Sequence, residues 1–147
     1  MDSLWIVLAS AAGACIALQA AANGSLRIHL NDSRYAAFFS ICGTIVTATV
    51  VMVALRPGFP TATAIRAAPW WNWIGGPLGA LIVLAGAALT PKLGSAAFIA
   101  AVVAGQLLCS LALDHFGLMN VPQQELSAGR LVGAALVFAG VLLVKYW

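Results

Sequence analysis

The stretch WWNWIGGPLGALIVLAGAALTPKLGSAAFIAAVVAGQLLCSLALDHF, residues 70–116, decides the fold. It holds two long apolar runs separated by Thr90-Pro91. An α-helix needs about 20 apolar residues to cross the roughly 30 Å hydrocarbon core of a bilayer. Inside lipid each backbone N–H and C=O must be bonded within its own segment, which selects the helix. Thr90 suits an N-cap and Pro91 the first helical position. The reading is therefore a third span over about 70–89, a fourth over about 91–116, and a tight hairpin between them. Trp70, Trp71 and Trp73 mark an aromatic belt at the membrane interface. Gly76-Pro77 predicts a bend in the third span, and Gly117 a left-handed stop to the fourth.

Working outward, a first span covers about 4–22 and breaks at Asn23-Gly24-Ser25. A loop with Arg27, His29 and Asn31 leads to Asp32 or Ser33, either of which can cap a second span over about 35–55. Arg56-Pro57-Gly58 ends it, and a loop with Pro60, Arg66 and Pro69 follows. After Pro122, Gln123, Gln124 and Glu125, Ser127 caps a fifth span over about 128–146, anchored by Tyr146 and Trp147. The expected fold is all-α: an integral membrane bundle of five transmembrane helices, in one domain over 1–147.

Composition agrees. Hydrophobic residues make up 63% of the chain and charged residues 7%, with a mean hydropathy of +1.00. Soluble domains carry about 25% charged residues and could not cover their surface with so few. The net charge of +3 comes from basic residues placed singly between the apolar runs. That excludes a nucleic-acid face, which needs clustered bases, and reads as topology signals and headgroup anchors. Met1-Asp2-Ser3 offers no basic leader, so the first run is expected to stay uncleaved. Cys15, Cys42 and Cys109 lie inside apolar runs and read as packing residues, with no disulfide and no metal. No cofactor motif and no enzyme constellation occurs; His115 beside Asp114 would point another way on a helix. Enzymatic activity is not expected.

Lipid is as apolar as leucine, so helices approach through small residues. Ala9, Gly13, Ala17 and Ala21 recur at fourfold spacing, as do Ala97, Ala101, Gly105 and Cys109. Gly75 with Gly79, and Gly129 with Gly133, supply further packing positions. Polar groups at membrane depth are expensive and mark candidate sites. Gln19 and Asn23 share one face of the first span, and Gln106, Ser110 and Asp114 one face of the fourth. Ser40, Thr44 and Thr47 line the second span, where hydroxyls can bond their own backbone. Asp114 falls in a last helical turn, where the helix dipole disfavours a carboxylate. A cation such as Arg130, water, a bound substrate or a proton must offset it; a purely structural ion pair is the plainer alternative.

Five spans put the termini on opposite faces. Arg27, Arg34, Lys92 and Lys145 fall on one, Arg56, Arg66 and Arg130 on the other. Orientation follows the excess of Lys and Arg, and here it is one residue. The balance motivates two copies inserted oppositely, an antiparallel dimer that builds an inverted repeat from two chains.

Gly105-Gln106-Leu107-Leu108, Leu113-Asp114-His115-Phe116-Gly117 and Arg130-Leu131-Val132-Gly133 together resemble the C-terminal signature of the YdcZ-type proteins. Gln19 with Asn23, Gly75-Gly76 with Gly79, and Lys92-Leu93-Gly94 extend the resemblance over essentially the whole chain. These are short inner-membrane proteins of the drug/metabolite transporter superfamily. The resemblance implies a multi-pass protein of the bacterial inner membrane, an exporter, and half of a ten-helix fold. The superfamily's small multidrug members carry a glutamate in the first helix; Gln19 stands in this chain's first span, which holds no such acid. That proton-exchange scheme does not transfer.

The resulting expectation is a small-molecule exporter working by alternating access as an antiparallel homodimer in the lipid bilayer. Gln19, Asn23, Gln106, Ser110 and Asp114 are its candidate substrate and coupling residues. The alternative is a non-transporting membrane subunit or scaffold that binds other helices.

Overall fold

The computed structural model describes residues 2–147, so the N-terminal charge reading falls in part on Met1, outside the described residues. Six α-helices follow in order: α1 Asp2–Leu30, α2 Ser33–Leu55, α3 Ala62–Ala67, α4 Gly75–Leu93, α5 Ser95–Phe116 and α6 Ala128–Tyr146. Among the described residues five helical segments are long and apolar enough to cross a membrane, as the sequence predicts. The interruptions differ in three places.

First, α1 does not break at Asn23-Gly24-Ser25 but runs to Leu30. None of these residues is a proline. Each lowers helix propensity by at most about 1 kcal/mol, which a continuing helix absorbs. Its 29 residues extend about 44 Å at 1.5 Å per residue, beyond a hydrocarbon core of about 30 Å. The last turn carries Arg27, a favourable charge for the negative end of a helix.

Second, Trp70–Trp73 form a short 3-10 turn and α4 starts at Gly75. Pro77 then falls in the first turn, where its missing N–H would have no helical partner in any case, so the predicted bend is not needed. Upstream, α3 interrupts the expected loop, with the Thr61 hydroxyl accepting from Ala64 N. Six residues are too few to show a helical periodicity in the sequence.

Third, Thr90 is not an N-cap and Pro91 does not open a helix; Pro91 lies inside α4, which continues to Leu93. One residue, Gly94, separates α4 from α5. Its N–H donates to the Thr90 carbonyl at 2.9 Å, and its own carbonyl accepts from Phe98 N at 3.1 Å. The last bond of one helix and the first of the next thus meet on a residue at φ 84°, ψ 152°, a region essentially closed to residues with a Cβ.

The helices fall into two compact units. One comprises α1 up to Leu18 together with 89–147. Here α5 and α6 pack on each other. Burial on α5 follows Ala100, Ala104, Leu107, Leu111 and Asp114, and on α6 Arg130, Ala134, Val137 and Val141. These spacings of three and four residues trace one stripe along each helix. The other unit, Gln19–Ala88, buries Ala20, Asn23, Ala36, Ala37 and Ala87. Alanine supplies most of the buried apolar positions, with Phe98 and Leu111 the large exceptions. Small side chains bring backbones close where lipid offers no hydrophobic drive.

Gly24 and Gly86 are buried too, but the glycines expected at packing positions stand differently. A Cβ at Gly13, Gly75, Gly79, Gly105 or Gly133 would meet nothing within 4 Å among the described residues, and at Gly129 only the Ser127 hydroxyl at 3.9 Å. Their faces are open in the single chain.

Between α1 and α2 the turn is Asn31-Asp32. Asp32 caps α2: its carboxylate accepts from Arg34 N at 2.8 Å and from the Arg34 guanidinium at 2.7–3.1 Å. The side-chain bonds from Arg34, then its backbone bond, hold the Asp32 carboxyl below the usual carboxylate range. A lowered native pKa favours the charged form, so this stabilisation is present above the unfolded carboxylate pKa. It is lost as pH falls through the native value. Amide exchange at the start of α2, corrected for intrinsic rates, is expected to rise on acidification below the usual carboxylate range. Asp32→Asn, which still caps but does not titrate, removes that pH dependence.

Candidate functional site

Asp114 stands in the last turn of α5. The helix stops at Gly117, which is left-handed at φ 58°, ψ 33°, and its N–H reaches the Asp114 and Leu113 carbonyls. The chain then folds back on the helix end it has just left. Gln124 N donates to the Asp114 carbonyl at 2.8 Å, and the Gln123 side chain to the His115 carbonyl at 2.9 Å. A Cβ on Gly117 would stand 3.4 Å from the Gln123 Cβ. These bonds satisfy α5 carbonyls that a helix end leaves without partners.

The fold-back delivers Ser127, whose hydroxyl accepts from Arg130 N at 3.3 Å and caps α6. Arg130 Nη2 then donates to Asp114 Oδ2, forming an ion pair between the two helices. Of the partners the sequence left open for Asp114, the cation is present. Side-chain exposures of 30% for Arg130 and 21% for Asp114 put the pair between a surface bridge and a buried one. Each charge is wrong for its own helix: an acid at the negative end of α5, a base at the positive end of α6. Across the contact each meets the end of the other helix that favours it. Arg130 Nη1 is buried with no partner among the described residues, so the ion pair has unused bonding capacity; His115 Nδ1, its ring against Phe116, is likewise buried and unpartnered.

Gln106 and Ser110 share the α5 face with Asp114 and are exposed. In the other unit, Gln19 is exposed, while Asn23 is 6% exposed with its Nδ2 unpartnered. Thr44, Thr47 and Thr49 donate to carbonyls one turn back on α2 and need no other partner. Among the described residues no three His, Cys, Asp or Glu side chains are placed to hold a metal, and the three cysteines are unpaired. The sequence reading did not include the tie-back by Gln123 and Gln124. Glutamines after a proline carry no spacing signal for a partner eight residues away.

The family described as "Putative inner membrane exporter, YdcZ" matches residues 4–143. The chain belongs to this family. A YdcZ relative, "Inner membrane protein YdcZ" of Escherichia coli (strain K12), is 40% identical over 75 residues, 51% of this chain and 50% of that one. The chain thus spans about half the length of the curated YdcZ protein it matches. No solved structure matches. With five apolar spans and this family, the chain is a multi-pass inner-membrane protein.

Proposed function

We propose that the chain exports a small molecule by alternating access, as an antiparallel pair of copies. The Asp114–Arg130 pair carries this reading. It joins two spanning helices at one end through a contact that a proton on Asp114, or a cationic substrate competing for its carboxylate, would release. The YdcZ description supports the direction. Gln106 and Ser110 continue the face of Asp114; the other unit holds its own candidate polar groups, exposed Gln19 and the unpartnered amide of Asn23. The open faces at Gly13, Gly75, Gly79, Gly105 and Gly133 suit helices of a second copy. The near balance of basic residues between the two faces suits dual insertion.

Orientation tests the proposal. With reporters for the cytoplasmic and periplasmic sides fused to the C-terminus, comparable signal from both is expected, at matched expression. Signal from one side only removes the antiparallel homodimer, and a helix-binding scaffold or a partner chain of opposite orientation takes its place.

A further inference from the structure

The C-terminal half of α2 and the loop after it line an open apolar groove of about 700 Å³. Its floor runs along α2 through Ile45, Thr49, Met52, Val53 and Arg56, and the loop contributes Pro57 to Pro60, with Phe59 almost fully exposed. All of it belongs to the unit Gln19–Ala88. The floor is apolar in effect, because the Thr49 hydroxyl is already bonded to the Ile45 carbonyl at 2.8 Å. Charge enters at one point, Arg56, where the helix ends. Its backbone is left-handed at φ 45°, ψ 49°, fixed by a bond from its N–H to the Met52 carbonyl.

Two observations identify the occupant. The first is charge. Among the described residues neither ion pair involves Arg56. No Asp or Glu occurs anywhere from 33 to 113, and the loop adds a second base, Arg66. The second is length. From Ile45 to Arg56 the groove runs about 16 Å at 1.5 Å per residue, close to one leaflet of a hydrocarbon core about 30 Å thick. Ile45 lies near the middle of α2 and Arg56 at its end. A chain lying in this groove therefore reaches about the midplane when its headgroup is at Arg56.

We infer that this groove is a binding site for one anionic phospholipid, its phosphate on Arg56 and an acyl chain along α2 toward Ile45. A zwitterionic lipid fits the same groove but brings its own cation to Arg56. The lipid would hold the end of α2 at the headgroup level in a chain whose net charge bias is otherwise weak. The inference does not depend on the transport proposal.

The test is native mass spectrometry of the detergent-purified chain titrated with phosphatidylglycerol and with phosphatidylcholine of identical acyl chains. Phosphatidylglycerol is expected to bind roughly fivefold better, the weight of one basic residue at an anionic surface. Arg56→Gln should reduce it to the phosphatidylcholine level, while Arg56→Lys, which keeps the charge, should retain the preference. Ala48→Trp, which fills the groove, should weaken both lipids. Equal binding of the two lipids by the native chain overturns the inference, as does a preference that survives Arg56→Gln. If Ala48→Trp dissociates a dimer and leaves lipid binding unchanged, the groove is an interface between copies and the inference fails.

Discussion

Arg130→Met is expected to destabilise the purified protein by about 2 kcal/mol, below the 3–5 kcal/mol of a fully buried pair because both partners keep some exposure. The cost lies in what is left behind. Asp114 would be left at the negative end of α5 with no cation beside it. Asp114→Asn should cost less, about 1 kcal/mol, because the remaining Arg130 still faces the favourable end of α5 and its long stem can carry the guanidinium to water. In the double variant Asp114→Asn with Arg130→Met no uncompensated charge remains. A double-mutant cycle should then return a coupling of about 1–2 kcal/mol. Thermal unfolding of the four proteins in one detergent measures this. Additive effects would show that the pair is not coupled. Under the proposed mechanism Asp114→Asn also abolishes coupled transport while the protein stays folded. Transport unchanged at all pH values would remove Asp114 from the mechanism.

Gly94→Ala is expected to cost about 2–3 kcal/mol. Nothing stands within 4 Å of the new Cβ, so the penalty is conformational and not a clash with neighbours. At φ 84°, ψ 152° the Cβ strains against its own backbone. Escaping that strain means turning the residue on which the last bond of α4 and the first of α5 meet. Gly43→Ala is the control: it lies within α2, also with nothing within 4 Å. There alanine is the better helix former, and the substitution should be neutral or stabilising by up to about 1 kcal/mol. The same unfolding measurement separates the two; equal effects would show that the joint at Gly94 carries no special strain.

Much of this protein follows from local rules. Apolar run length determined five spans, because lipid leaves a backbone no other way to satisfy its polar groups. The caps at Asp32 and Ser127 and the left-handed stop at Gly117 were legible because each depends on one side chain and its nearest neighbours. Thr90-Pro91 misled the reading, since a proline one turn from a helix end can be carried by the helix or open the next one. The neighbouring Gly94 decides which. Asn23-Gly24-Ser25 misled it for the opposite reason: residues that weaken a helix locally do not end one that continues on both sides.

The class, the number of spans, the family resemblance and the residues whose polarity is costly in lipid were thus all legible in the residues. The sequence placed Asp114 in an unfavourable helix end but left four ways to offset it. The choice of Arg130 came from the packing of α5 and α6, because that contact depends on how the linker returns through Gln123 and Gln124 and sets α6 against α5. Packing likewise decided which small residues are buried, such as Ala36, Ala87 and Ala104, and which stand open, as Gly13, Gly75, Gly79, Gly105 and Gly133 do. Spacing says which residues share a helix face, but which face meets another helix depends on packing between segments far apart in the chain.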